Sequence, residues 1–303
     1  MLQTQKLKNK DYEIKLPKGG AFNINTDSDF INMHSVILAV AKRGVGKTCS
    51  FSNLLRLMKK NNALDRLILV SPTYHNNAHY FKDLPLDNED ILEPTIDAPQ
   101  KIEEILDTEA QEYEEYHDKL KRWKKLNKML KDKTKSVHDI PNELLIEFED
   151  TMYNPPQHKY NGKKPVIVVL FDDVQGNDIM LPRAKLNQLV TTHRHKGKLK
   201  NGALGVSLLF ACQNYTSNQM GLNKSIRGNL THLLVFKNKN IKELEKIAEE
   251  CSGEINTETF FKVYNEAIKE PHDFLFIDLH KKNTHPSGFR RNFNEFIIPN
   301  TLD

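Results

Sequence analysis

The densest chemistry in the sequence lies between positions 41 and 49, which read Ala-Lys-Arg-Gly-Val-Gly-Lys-Thr-Cys. Glycines separated by one residue, followed by a lysine and a hydroxyl, suit a loop whose backbone N–H groups turn inward around a phosphate, because glycine enters the required φ ranges without a Cβ penalty. A helix that starts directly afterwards adds the positive end of its dipole. In that setting Lys47 reaches the β- and γ-phosphates and Thr48 offers its hydroxyl to Mg²⁺. The predicted nucleotide-binding set is Lys42, Arg43, Gly44, Val45, Gly46, Lys47, Thr48 and Cys49. Position 41 is alanine where the motif GxxxxGK[ST] has glycine, but the side chain is small and the GxGKT end is intact.

A second constellation is Asp172-Asp173, which closes the apolar run Val-Ile-Val-Val-Leu-Phe. In a parallel sheet such residues emerge at the carboxyl edge, beside the phosphate loop. Asp172 suits a ligand of Mg²⁺ or its water, and Asp173 suits the group that orients or deprotonates the attacking water. Gln213 closes another strand-like run, Val-Ser-Leu-Leu-Phe-Ala-Cys, so it comes to the same edge and can face a γ-phosphate. Two arginines complete the candidates. Arg194 stands in Thr-His-Arg-His-Lys-Gly-Lys-Leu-Lys and Arg227 in Lys-Ser-Ile-Arg-Gly-Asn-Leu; either could neutralise transition-state charge from a neighbouring subunit, or serve as a surface or phosphate-backbone contact. The loop from His193 to Lys200 is the most concentrated basic loop, a candidate to face DNA or an interface. His193 and His195 lack a nearby third ligand, which argues against zinc.

Positioning these groups requires strands and helices in alternation. Apolar runs at 35–41, 66–72, 165–173, 205–213 and 231–237 read as buried strands, and helical spacing follows the loop (Phe51, Leu54, Leu55, Met58) and recurs over Ile241 to Cys251. The pattern predicts an α/β fold with a mostly parallel central sheet flanked by helices. Between residues 97 and 150 the chain changes character: apolar positions recur every three or four residues from Ile102 to Leu130, with acidic residues crowding the first half and basic residues the second. This predicts a long helical insertion whose polarity the helix dipole favours. Its simpler use is a solvated helix packing one stripe on the domain; the alternative is an arm that touches a neighbouring subunit or nucleic acid. Residues 1–30 are expected to form an N-terminal arm or small subelement, and 31–303 the main domain.

Composition sets the outer bounds. The chain has 303 residues, 38% hydrophobic and 28% charged, which excludes collagen-like, low-complexity and wholly disordered classes. Lys and Arg number 44 against 40 Asp and Glu, and a net charge of +4 does not by itself imply a nucleic-acid partner. Three isolated cysteines without a CxxC pair read as reduced packing residues. No apolar run approaches the roughly 20 residues of a membrane helix, and the polar, basic N-terminus lacks a signal-peptide core, so an intracellular protein without a membrane span is expected.

The ordered set KRGVGKT, LVSPTY at 69–74, a strand ending FDD, the Arg194-His195 pair, a strand ending CQ, then SIRGN and LLVFK resembles the poxvirus-type genome-packaging ATPases of large DNA viruses and their virophages, within the FtsK/HerA superfamily. The resemblance covers about residues 30–300. It implies a RecA/FtsK-HerA-like P-loop fold and an oligomeric ring motor, hexameric or pentameric, that hydrolyses ATP with Mg²⁺ to drive double-stranded DNA into preformed capsids. It also implies viral capsid or portal-vertex partners, and a place in the host cytoplasm, at the viral factory, or with the virion. By the same likeness Lys47 and Thr48 occupy the Walker A positions and Asp172 and Asp173 the Walker B pair. Gln213 is the sensor, Arg194 the trans-acting arginine finger, and Arg227 a second recurrent arginine. A guanine-nucleotide switch is disfavoured, since the nearest approach to its NKxD base-reading motif is Asn238-Lys239-Asn240-Ile241 and isoleucine cannot accept from the base. A small-molecule kinase fits the charged insertion poorly. The surviving alternative is an ATP-binding scaffold with little turnover.

Overall fold

Residue-by-residue alternation of apolar side chains builds the centre of the molecule. The computed structural model describes residues 24, 26–132, 136–149, 154–181, 185–216, 222–253 and 255–299. The arm expected over residues 1–30 lies almost wholly outside them. The five expected strands form as β1 (Val36–Val40), β2 (Arg66–Val70), β4 (Ile167–Asp172), β7 (Val206–Cys212) and β8 (His232–Phe236). Four short or late strands complete one nine-stranded sheet: β3 (Ile91–Leu92), β9 (Phe274–Asp278), β10 (Phe289–Arg291) and β11 (Glu295–Ile297). A separate two-stranded ribbon pairs β5 (Lys198–Leu199) with β6 (Gly202–Ala203).

The sheet runs β11-β10-β9-β8-β1-β7-β4-β2-β3. From β8 to β3 all pairings are parallel, whereas β9, β10 and β11 are antiparallel to their neighbours. Every residue of β1, β4, β7 and β8 is buried, as expected when helices cover both faces of a parallel sheet. Alternate residues serve opposite cores. Val36, Leu38, Val40, Val169, Phe171 and Phe210 join one core, while Ile37, Ala39, Val168, Leu170, Leu209 and Ala211 join the other. Helix α1 (Lys47–Lys60) covers the second face with Phe51, Leu54, Leu55 and Met58. The first face receives α3 (Ala98–Lys131), α5 (Leu186–Thr192), α6 (Lys224–Arg227), α7 (Ile241–Cys251) and α8 (Thr257–Ala267); α2 (Tyr74–Asn77) follows β2, and α4 (Asn142–Glu147) follows α3. Among the described residues no helix is long and apolar enough to cross a membrane.

Within the charged insertion expected over 97–150, the long helix is the 34-residue α3, whose two halves do different things, and the same interval also holds α4. The first half packs Ala98, Ile102, Leu106 and Ala110 on the sheet. The second half leaves the main core and builds a small one of its own, in which Leu126 meets Ile140, Leu144 and Phe148 around α4. A buried ionic network pins the first half. Arg66, at the start of β2, donates to Asp90 at 2.6 Å and to Glu109 at 2.5 Å, and Lys159 reaches Glu109 at 2.6 Å. Glu109 is fully buried on α3, so its charge depends on both cations. Replacing Glu109 by alanine should strand Arg66 and Lys159 beside a cavity and lower stability by about 3 kcal/mol, read as a drop in the urea midpoint.

Candidate functional site

Strand β1 delivers the glycine loop to the carboxyl edge of the sheet. Ala41 N–H donates to Cys212 O at 3.1 Å, which extends the β1–β7 ladder by one residue before the chain turns. Ala41 is buried in the core beneath α1 and is absent from the residues with positive φ, so glycine is not needed at that position. The turn itself uses Gly44 at φ 79° and Gly46 at φ 112°, a region where a Cβ is strained. Gly46 is the N-cap of α1 and no side chain caps it, which leaves first-turn N–H groups for an anion. Lys47 folds over the loop, its Nζ donating to Ala41 O at 2.8 Å and Lys42 O at 3.2 Å. Burial lowers the pKa of its ammonium, and Asp172 and Asp173 oppose that shift.

Strand β4 brings the carboxylates to the same place. Thr48 Oγ1 lies 3.1 Å from both Oδ1 and Oδ2 of Asp172, across 124 residues of sequence. This is the P-loop NTPase fold. Asp172 is 3% exposed, and burial pushes its carboxyl up to about 6; the Thr48 hydrogen bond and Lys47 pull it down, and Asp173 adds to the rise. Asp173 adopts φ 56°, which turns the chain sharply as it leaves the strand. Its Oδ1 accepts from Gln213 Nε2 at 3.2 Å, so the carboxylate pair and the expected sensor meet across the β4–β7 boundary.

Lys47, Thr48, Asp172, Asp173 and Gln213 line one cavity of about 770 Å³, together with Arg43, Gly44, Gly46 and Cys49. Lys42 and Val45 line an adjoining hollow instead, and Lys42 Nζ donates to Asn214 Oδ1 at 3.3 Å. The sequence did not single out Gln175. Its Oε1 accepts from Gln213 N and, at 3.3 Å, from Asn214 N, while its Nε2 donates to Asn214 O at 3.2 Å, which ties the loop after β4 to the loop after β7. Also unforeseen is the wall Pro271–Phe274 with Asn292 and Phe293 on the β9 side of the P-loop. His272 at φ 70° and Asn292 at φ 52° are both left-handed without being glycine. His272 Nδ1 lies 2.9 Å from Val45 O, and Asn292 Nδ2 donates to Asp273 Oδ1 at 2.7 Å. No motif marks these residues, because the antiparallel strands that position them return from far down the chain.

The two arginines lie elsewhere. Arg227 lines neither hollow; it pairs with Glu250 at 3.0 Å, donates to Leu222 O at 2.7 Å and stacks 5.3 Å from the Tyr215 ring. These interactions engage its guanidinium within its own chain. Arg194 is exposed, in the turn after α5, at the amino edge of the parallel strands and therefore across the sheet from the P-loop. There it lines a second hollow with His34, His193, His195, Lys198 and His280. His193 is held by Val190 O at 2.7 Å and His34 O at 2.9 Å, and burial first, then His193 and Arg194, lower the pKa of His34 to about 4. Of the basic loop's lysines, Lys196 is paired with Glu103 at 2.7 Å and Lys200 with Asp118 at 2.5 Å, both on α3.

No protein-family model and no curated protein matches the chain. Solved structures similar to it include the genome packaging NTPase B204 from Sulfolobus turreted icosahedral virus 2 in complex with ATPγS, at 11% identity over 85% of this chain and 96% of that one, with a TM-score of 0.41. The pCW3 conjugation coupling protein TcpA, in monomer form with ATPγS, is similar at 16% identity over 92% of this chain and 71% of that one, with a TM-score of 0.42. The cytoplasmic domain of EssC is similar at 16% identity over 71% of this chain and 35% of that one, with a TM-score of 0.38.

The raised carboxyl of Asp172 makes a stability prediction. A carboxyl whose pKa is higher folded than unfolded stabilises the fold while protonated, and that contribution is lost as pH rises from about 4 through about 6. Without nucleotide or divalent metal, Asp172→Asn should therefore be more stable than the parent by about 3 kcal/mol at pH 8, and the gain should vanish near pH 4. Thermal melts across that range measure it.

Proposed function

We propose that this chain is an ATP-hydrolysing DNA translocase that works as an oligomeric ring and packages double-stranded DNA into preformed viral capsids. The observation that carries the ATPase part is the Thr48–Asp172 hydrogen bond at 3.1 Å, which joins a phosphate loop to a buried carboxylate at the mouth of one cavity. The translocation part rests on the resemblance in motif order. A capsid or portal-vertex partner, and a location at the viral factory or in the virion, follow from that same likeness.

In this reading the triphosphate lies on Arg43 to Cys49 with Lys47 released from its loop carbonyls to the phosphates. The γ-phosphate end faces Asp172, Asp173 and Gln213 on the β7–β4 side, so the nucleoside extends the other way, against Pro271–Phe274 and Phe293. A hydroxyl and a carboxylate are the hard oxygen donors Mg²⁺ takes alongside substrate phosphates, and Thr48 and Asp172 would hold it. When bound, the ion neutralises charge on the phosphate oxygens. Asp173 and Gln213, already hydrogen-bonded, orient the attacking water, and Asp173 accepts its proton. Arg194 is too far round the sheet to serve its own site and acts on the neighbour's γ-phosphate. Arg227, engaged by Glu250, supports the fold beneath the loop after β7.

Lys47→Ala should abolish ATP binding, measured by calorimetry, with an unchanged circular dichroism spectrum; undiminished hydrolysis by this variant would refute the site. Arg194→Ala should retain ATP binding and lose turnover by about 10³-fold, within the range an arginine finger supplies. Mixing it with Asp173→Asn subunits should restore part of the rate, since one mixed boundary then carries an intact water-orienting pair and an intact arginine. Hydrolysis assayed with and without duplex DNA separates a motor, which DNA stimulates, from a scaffold that binds ATP and barely turns over.

A further inference from the structure

We propose that the distal half of α3 is a docking surface for the phosphate backbone of duplex DNA, through the exposed row Lys121, Lys124, Lys125, Lys128 and Lys131; the proposal rests on the translocase reading above. Between Lys119 and Lys131 the sequence holds seven basic residues and no acidic one. The row falls at i, i+3, i+4, i+7 and i+10, so it occupies one helix face about 15 Å long. All five lysines are exposed. The opposite face carries Trp123, Leu126 and Leu130 into the small core around α4, and Arg122 is turned onto Glu147 at 2.7 Å. That packing fixes which way the lysines point.

The acidic half of the same helix has a different fate. Glu103 pairs with Lys196, Glu109 with Arg66 and Lys159, Glu112 with Lys159, and Asp118 with Lys200. The helix thus uses most of its negative charge in docking on the main domain, with Glu104, Asp107 and Glu115 left exposed, and carries its positive charge on the distal half. The dipole does not account for the row, because its influence fades within the last turn and Lys121, Lys124 and Lys125 lie further in. Neighbouring lysines at i, i+3 and i, i+4 repel one another, and a polyanion relieves that repulsion. The basic loop from His193 to Lys200, the other candidate, has Lys196 and Lys200 already neutralised by α3. Flexible ammonium groups following phosphates carry no base readout, as a motor moving along any sequence requires.

The test compares the full-length protein with Lys121→Gln/Lys124→Gln/Lys125→Gln/Lys128→Gln, in binding to a short duplex of mixed sequence between about 50 and 200 mM salt. Removing one ammonium–phosphate pair reduces the steepness of log K against log salt by about 0.9, so the quadruple variant should be shallower by about 3 to 4 and bind at least about tenfold more weakly. The corresponding Lys→Arg set should keep the parental slope, and both should hydrolyse ATP at the parental basal rate without DNA. An unchanged slope in the glutamine variant, with the wild type binding duplex, overturns the proposal and leaves the translocase reading standing. Failure of the wild type to bind duplex overturns both. Binding of the row to anionic phospholipid vesicles, in place of duplex, also overturns it.

Discussion

Asp172 is a carboxylate held almost out of water, and the site is organised around the cost of keeping it there. A buried charge must be met by hydrogen bonds or opposite charge, and here Thr48 supplies the hydrogen bond and Lys47 the charge. Both partners come from the first turn of α1, which begins where the glycine turn ends. The parallel register of β1, β7 and β4 is what makes the meeting possible, because it carries the ends of three strands to one edge at nearly the same level. Moving β4 by a single residue would turn Asp172 to the other face of the sheet and put Phe171 in its place.

The loops after β4 and β7 extend the same logic outward. Asp173 turns through a left-handed conformation, Gln213 reaches back to it, and Gln175 clamps the backbone of the loop that bears Gln213. The result is a small hydrogen-bonded network of side-chain amides and a carboxylate next to the stacked Phe171 and Phe210, whose rings lie 4.5 Å apart. In the proposed reading that arrangement has a chemical use, since groups that orient a water are effective only if they are already in place.

Much of this was legible in the sequence for a simple reason. Buried parallel strands are continuous apolar runs, and residues at their carboxyl ends share an edge, so Thr48, Asp172, Asp173 and Gln213 could be gathered without coordinates. The role of Ala41 was harder, and coordinates resolve it: the residue is a core side chain under α1 and lies outside the left-handed turn. The wall from Pro271 to Phe274 could not be anticipated, because β9 pairs antiparallel with β8 and its neighbour Asn292 arrives from a hairpin. The spacing along α8, with Phe260, Val263, Tyr264 and Ala267 buried, and the apolar run of β9 carry the same kind of signal as the strands and helices nearer the P-loop. The insertion illustrates the limit of periodicity: its apolar stripe is continuous, yet Leu106 and Leu126 serve two separate cores.

In the proposed reading, where Arg194 of one copy serves the P-loop of the next, their opposition across the sheet has a consequence for symmetry. Two complementary surfaces on opposite edges of one protomer cannot engage each other within an isologous pair, where a patch meets its own copy about a twofold axis. A trans-acting Arg194 would demand heterologous, head-to-tail junctions in which each copy gives one edge and receives the other. Such a series ends only by closing on itself; a small error in the rotation between copies would yield an open filament. In that reading the angle at the junction is under as strict a geometric demand as the hydrogen bonds around Asp172.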